Sequence, residues 1–353
     1  MSSSAPPPPA SAPIVVRFGS LGDLVQLTVL LESAAARWRQ PVRVVTALRG
    51  VDELYRGLDC FAASHLVRSR RRPYLLDRSQ RGLVRWLRDQ SDPPTYLVET
   101  VPARVAKVRR LLARGAVAAH RIVDASALAR GPLEHTVDFL RRVALADAGG
   151  EPATPPEVPR LVVLPAELDA ARRWAAERGW LGRPWIVVHP FSRRANRGRW
   201  PLERWVEALR ALRLRQPEAV LLISGSAAEG LSARELARAV DDPALHDVSG
   251  ELPLRRLVAT LALARACLSL DSGPAHVAAA VGCPVVVLAG MADPRRVAPR
   301  SAGSSVEIAA AIPRAEWPDS PYEWARRNRL AEIAVAEVLA AWERLRPREG
   351  FAA

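Results

Sequence analysis

Leu268-Ser269-Leu270-Asp271-Ser272-Gly273-Pro274-Ala275-His276 runs into the alanine-rich stretch Val277 to Ala280, then Gly282, then Pro284-Val285-Val286-Val287-Leu288. An apolar run that stops at a Ser/Gly turn, with proline where a helix takes its first residue, reads as strand, tight turn and helix. A second apolar run follows, which makes the unit βαβ and the sheet parallel. At such a junction the unpaired N–H groups of the helix start point outward and, with the helix dipole, favour an anion such as a nucleotide diphosphate. The plainer reading is a helix capped by Ser272 or Gly273 and begun by Pro274, a device open to any α/β protein.

The same alternation extends in both directions. Pro13 to Phe18 reads as a strand, Gly19-Ser20-Leu21-Gly22-Asp23 as a tight turn, and Leu24 to Trp38 as a helix with an apolar stripe, the opening βα unit of a doubly wound sheet. Strands are expected at Val42 to Thr46 and Tyr96 to Thr100, helices near Val51 to Gly57 and Ala103 to Ala113. The segment Gly149 to Pro165 is too rich in proline for regular structure and reads as a linker. Beyond it the pattern restarts, with strands at Trp185 to His189, Ala219 to Ser224 and Ala266 to Leu270 and helices at Leu202 to Arg213 and Ser232 to Val240. The expected organisation is therefore a domain over 13–150, a linker over 151–165, a second α/β domain over 166–330 and a final helix over 331–346.

With 353 residues, 49% of them hydrophobic and 25% charged, the chain is long enough to bury two ordinary cores. Met1 to Ala12 is Ser, Ala and Pro without a basic start or apolar centre, and reads as a disordered tail and not a signal peptide. The uncharged run Val277 to Ala292 is broken by Gly282, Pro284 and Gly290 and falls short of the roughly 20 residues of a membrane helix. Cys60, Cys267 and Cys283 are widely spaced in apolar surroundings, the pattern of reduced core thiols in the cytosol and not of a metal site. The formal charge is +14, and Lys107 is the only lysine. Much of that excess is a general arginine bias that accompanies the abundant alanine, so nucleic acid is not an expected partner. Two local clusters survive the discount. Arg68, Arg70, Arg71 and Arg72 form one knot, and Arg78, Arg81, Arg85 and Arg88 recur at helical spacing around Leu83, Val84, Trp86 and Leu87. They suit a phosphorylated or membrane-embedded substrate, or are a solvated helix face.

Several residues are of a type and position to do chemistry. Asp23 falls near a helix start at the carboxyl end of the first strand, the edge where open α/β sheets place their sites; it is either a helix cap or a general base. The stretch His189-Pro190-Phe191-Ser192-Arg193-Arg194-Ala195-Asn196-Arg197-Gly198-Arg199-Trp200-Pro201 offers a hydroxyl and guanidinium groups that could neutralise a departing diphosphate, or is a charged surface loop. In Ser226-Ala227-Ala228-Glu229 the glutamate is a contact for a ribose or base, or the far end of a capping box. The loop Gly19 to Asp23 lacks the Gly-x-Gly-x-x-Gly spacing and the acidic ribose partner of a dinucleotide site. No Asp-x-Asp pair is present to hold a diphosphate-bridging metal.

Taken together, Gly-Ser-Leu-Gly-Asp at 19–23, the His189…Ser192-Arg193…Arg199-Trp200-Pro201 stretch and Asp271-Ser272-Gly273-Pro274-Ala275-His276-Val277-Ala278-Ala279-Ala280-Val281-Gly282-Cys283-Pro284 resemble glycosyltransferase family 9, the ADP-heptose:lipopolysaccharide heptosyltransferases. The resemblance runs in order from about Pro13 to Trp342, and the third motif is the most specific. It implies the α/β GT-B architecture, two Rossmann-like domains facing each other across a cleft, with acceptor bound by the first and donor by the second. It implies an inverting transfer that needs no metal and no cofactor beyond the nucleotide-sugar donor, ADP-heptose. By the same resemblance Asp23 matches the catalytic base. Ser192, Arg193, Arg197, Glu229, Asp271, Ser272, Gly273, Pro274 and His276 fall to the donor, with a packing role left open for His276. Gly22, Arg68, Arg71 and Arg72 fall to a phosphorylated glycolipid acceptor. The final helix is expected to cross back to the first domain. The implied partners are a nucleotide sugar, that glycolipid and the inner-membrane surface, and the implied setting is cytoplasmic.

The sequence also departs from the family pattern. Gly198 stands where a lysine usually precedes Trp-Pro, so Arg197 or Arg199 must supply that charge. Val29 replaces a common proline, and Ala289 stands before Gly290 in place of a frequent aromatic. Alternatives to lipopolysaccharide transfer are a protein or other glycolipid acceptor, a GT-B-like binding protein that has lost catalysis, and a nucleotide-sugar epimerase, which would need no acceptor.

Overall fold

The computed structural model describes residues 11–68, 73–146, 149–151, 153–192 and 199–346. The expected tail over 1–12 lies almost wholly outside them, as do Arg70 to Arg72, Arg193 and Arg197.

Two compact units divide the described chain, and neither is continuous in sequence. The first takes the residues up to Ser20, Leu27–Arg130 and Asp138–Glu157; the second takes Leu21–Gln26, Gly131–Val137 and the residues from Val158 onward. In the first unit five described strands, β1 (Ile14–Val16), β2 (Val42–Thr46), β3 (Phe61–Leu66), β4 (Thr95–Leu97) and β5 (Ile122–Asp124), form a parallel sheet in the order β3-β2-β1-β4-β5. In the second, β6 (Trp185–His189), β7 (Val220–Ile223), β8 (Leu245–Asp247), β9 (Ala266–Leu270), β10 (Val285–Leu288) and β11 (Val306–Ala309) are parallel in the order β11-β10-β9-β6-β7-β8.

The inner strands are continuous apolar runs because helices cover both their faces: Ile14-Val15-Val16, Val220 to Ile223 and Val285 to Leu288 are buried at every position. The strands absent from the sequence reading, β3, β5, β8 and β11, carry more polar residues. Each stands at an edge of its sheet and is buried less completely.

In each sheet the strand order reverses beside the strand that opens the unit: β1 lies between β2 and β4, and β6 between β7 and β9. Open α/β sheets bind ligands in the crevice outside the strand ends at such a point. The register pairs His189 with Ser269, so the ends of β6 and β9 border the second crevice.

Two expectations change. The turn after β1 is complete by Ser20 and the helix begins at Leu21, so Leu21–Trp38 includes Gly22 and Asp23 in its first turn. The final helix, Val335–Arg344, stays with the second unit. Val335, Val338, Ala341 and Trp342 enter the core formed by β6, β7, β9 and β10, and the helix packs on helix Leu202–Arg215 and on β11. Trp200 Nε1 and Arg204 Nη1 donate to Ile333 O at 2.9 and 2.6 Å and fix its entry. The Pro-rich segment has no regular structure before helix Pro165–Ala176, and the passage between units, Glu157 to Val158, falls inside it. From there the chain is held to the second unit by the buried Leu161, whose N–H donates to Ala280 O at 3.1 Å.

Candidate active site

β9 ends at Leu270 and helix Gly273–Ala280 starts three residues later, with Pro274 in its first turn. Ser272 is its N-cap by position, in extended conformation, yet its side chain makes no capping bond. The hydroxyl lies 3.2 Å from Ser269 Oγ, and Ser269 donates in turn to Leu270 O at 2.8 Å. The plain capping reading thus fails for Ser272, and the first N–H groups of this eight-residue helix lack the side-chain oxygen that usually meets them. Asp271 is tied to the sheet through its own N–H, which donates to Leu288 O at 3.1 Å.

Asp23 comes to this turn within the second unit, because Leu21–Gln26 is grouped with it. Two glycines permit the approach. A Cβ on Gly22 would stand 2.5 Å from His276 Cδ2, and one on Gly273 would stand 2.7 Å from Leu21 Cβ. Gly22, expected on the acceptor side, is buried against the His276 ring. Gln26, one turn beyond Asp23, puts Nε2 at 3.2 Å from His276 Nδ1 and donates to Val297 O at 3.0 Å. His276 is buried, and desolvation pulls its pKa down to about 4 against the attraction of the Asp23 carboxylate, with His135 lowering it further. The ring is therefore neutral near pH 7 and packs as an uncharged side chain between Gly22 and Gln26.

On the other side of the crevice, His189 at the end of β6 faces Ser224 at the end of β7, with Nδ1 3.0 Å from Oγ. Its pKa is likewise lowered to about 4, by desolvation, against Glu229 and the Ser224 backbone. Phe191 meets His189 edge-on at 6.1 Å between centroids, and its ring lies where a Cβ on Gly225 would come within 2.9 Å. Ser192 is half-buried just beyond. Glu229 forms the capping box: Oε2 accepts from Ser226 N at 2.7 Å and from Ser226 Oγ at 2.8 Å. Arg68 belongs to the first unit, exposed past the end of β3, its N–H donating to Ser79 Oγ at 2.9 Å. Among the described residues, no group of three His, Cys, Asp or Glu side chains could hold a metal ion, and no helix is long and apolar enough to cross a membrane.

Several supporting residues escaped the sequence reading. Glu99, buried at the end of β4, accepts from Phe18 N at 2.6 Å and pins the turn after β1. Asn328 bridges Ala289 O, Gly290 O and Ala311 N. His135 and Thr136 hold the segment after β10 through Ala298 O and Arg296 O, each at 2.9 Å. Only Gln26 had a usable signal, a polar residue inside the buried run Leu24 to Leu31 at helical spacing from Asp23; the others act on backbone groups that sequence does not bring near them.

A parallel sheet with an open helix N-terminus at its reversal point, and a carboxylate one element away, is the arrangement of a nucleotide-binding α/β protein. The chain belongs to glycosyltransferase family 9 (heptosyltransferase), whose family model matches residues 117–316. It is 29% identical over 184 residues to lipopolysaccharide heptosyltransferase 3 of Escherichia coli, a match covering 52% of this chain and 53% of that protein. It therefore aligns with about half the length of this relative. Two solved structures resemble it throughout. The glycosyl transferase family 9 protein from Veillonella parvula has a TM-score of 0.73 at 16% identity, covering 94% of this chain and 96% of that one. The Escherichia coli ADP-heptose lps heptosyltransferase II has a TM-score of 0.67 at 20% identity, covering 94% and 97%. These likenesses establish the fold as GT-B, with two Rossmann-like sheets.

Proposed function

We propose that the chain is an inverting, metal-independent glycosyltransferase that moves heptose from ADP-heptose to a lipopolysaccharide core acceptor on the cytoplasmic face of a membrane. The observation that carries this reading is the meeting of Asp23 with the Asp271–His276 turn. A carboxylate in the first turn of one helix stands by the uncapped N-terminus of another, so a base and an anion site lie side by side.

In this reading Asp23 takes the proton of the acceptor hydroxyl as its oxygen attacks the anomeric carbon. The bond from that carbon to the diphosphate oxygen breaks, and ADP leaves with the electron pair. The N–H groups at the start of helix Gly273–Ala280, with Ser272, Pro274 shaping the turn, Ser192 and the arginines Arg193 and Arg197, stabilise the departing charge. Asp271 would be repelled by phosphate and is assigned to donor hydroxyls. Glu229 caps with Oε2 and leaves Oε1 to a ribose. His276, neutral and wedged between helices, positions the turn. Arg68, Arg71 and Arg72 take the acceptor phosphates. The names of the family and of its relatives support the choice of ADP-heptose.

The test is turnover of ADP-heptose with a core acceptor, followed by mass spectrometry of the product. Asp23→Asn is expected to lower turnover by about 100-fold or more while ADP still raises the melting temperature. An Asp23→Asn protein as active as the parent removes the base assignment, and absence of any ADP-induced shift in the parent removes the donor. Product formed without acceptor would point to an epimerase.

A further inference from the structure

Helix Arg78–Arg88 and helix Pro102–Arg114, packed together in the first unit, carry four and five cationic side chains and no carboxylate. On the first of them Gln80, Leu83, Val84 and Leu87 turn inward, while Arg78, Arg81, Arg85 and Arg88 follow one stripe at spacings of three and four. Among the described residues, Arg78, Arg85 and Arg88 meet no carboxylate within ion-pair distance. Just before this helix the single turn Tyr74–Leu76 puts two leucines into solvent, Leu75 at 76% and Leu76 at 71% exposure. The turn is held in place: Arg81 Nη1 donates to Leu75 O, and the Arg114 guanidinium lies 4.9 Å from the Tyr74 ring centroid. Arg88 Nε in turn donates to Arg114 O at 2.9 Å.

A lone exposed leucine means little, but an adjacent pair fixed by the same guanidinium groups that surround it is a different case. We infer that the Tyr74–Leu76 turn and the arginine stripe of helix Arg78–Arg88 form a docking surface for an anionic lipid bilayer, with the leucines entering below the headgroups and the arginines against their phosphates. A phosphate-bearing polymer such as DNA would use the arginines and leave the leucines in water, so the leucine pair decides for a bilayer. The surface is independent of the transfer chemistry, because none of these residues is assigned to donor or acceptor.

The experiment is co-sedimentation of the full chain with vesicles of phosphatidylethanolamine containing a quarter phosphatidylglycerol, and with vesicles of phosphatidylcholine alone. Binding to the anionic vesicles is expected, with loss at high salt and weak binding to the neutral ones. Leu75→Ser with Leu76→Ser should weaken it by about tenfold or more. Arg85→Gln with Arg88→Gln should weaken it by about 25-fold, near fivefold for each charge. Both variants change exposed side chains and should keep the parent's ADP-induced thermal shift, which separates this surface from the transferase reading. Leucine variants that bind anionic vesicles as tightly as the parent overturn the proposal, as does a short DNA duplex that binds more tightly than the vesicles and is indifferent to the leucines.

Discussion

Two glycines and a histidine fix the geometry on which the proposed chemistry rests. Gly22 has an ordinary helical place, yet a methyl group there would meet the buried His276 ring at 2.5 Å, a separation that real Cβ atoms do not adopt. The ring cannot easily yield, because its Nδ1 lies 3.2 Å from Gln26 Nε2. Gly22→Ala should therefore cost about 1–3 kcal/mol in urea unfolding and reduce ADP-induced stabilisation, since the helix start carrying Asp23 and the turn at 271–276 would part. Wild-type stability in that variant would show that the two elements are not tightly seated. Gln26→Leu separates the polar contact from the packing: it keeps bulk, drops both bonds, and leaves Val297 O without this donor. A loss of about 1–3 kcal/mol is expected on unfolding.

At the scale of elements, loops are held by residues delivered from distant helices. Helix Pro321–Arg327 ends at Asn328, which is fully buried and donates to Ala289 O and Gly290 O at 2.9 and 2.8 Å while accepting from Ala311 N at 2.8 Å. Trp324 from the same helix donates to Gly290 O at 3.1 Å. The strand ends of β10 and β11 thus owe their path to one short helix. Asn328→Ala should destabilise by about 2–3 kcal/mol, because Ala289 O and Ala311 N lose this partner together and Gly290 O keeps only the Trp324 donor. Asn328→Asp should be no better, since a carboxylate cannot donate to two carbonyls. Urea midpoints equal to the parent's in both variants would contradict this. The expected place of the final helix failed at this scale: its apolar stripe is legible in Val335 to Trp342, but a stripe names no partner, and here β10, β11 and helix Leu202–Arg215 take it.

For the whole molecule, charge and protonation are the quantities that sum. The net charge of +14 suggests one large basic surface, yet many guanidinium groups are engaged with backbone carbonyls. Arg37 donates to Gly149, Ala144 and Ala146, Arg210 to Val240 and Ala239, and Arg213 to Gln216 and Ala219. Such arginines close helix and loop ends, and Arg81 and Arg88 do the same, so the patch around Leu75 and Leu76 is set apart by its exposed leucine pair. The histidines give a pH dependence. Burial lowers His189 and His276 to about 4 and lowers His65 and His246 in the same direction. An unfolded histidine titrates near ~6.5, so as pH falls the unfolded chain takes up these protons first. Their contribution to stability is complete above about pH 6.5 and is lost from there down towards about 4. Urea unfolding at pH 7 and pH 5 should show a clear fall, smaller in His276→Gln; equal stability at the two values would mean that these rings are not held neutral.

What the amino-acid order settled by itself was local: apolar runs such as Trp185 to Val188 and Val285 to Leu288 have the pattern of strands covered on both faces, and Ser-Gly-Pro ahead of an alanine run has the pattern of a turn into a helix. Strand type, the parallel sheets and the turn ahead of helix Gly273–Ala280 follow from those short-range constraints, as does the placing of Asp23 at a helix start. Which strands stand at the edges, which sheet receives the last helix, and the seating of His276 between Gly22 and Gln26 were decided only by tertiary structure. Those outcomes depend on contacts between residues up to some 250 positions apart, as Gln26 and His276 are, and no local pattern encodes which surface will be nearest when the chain closes.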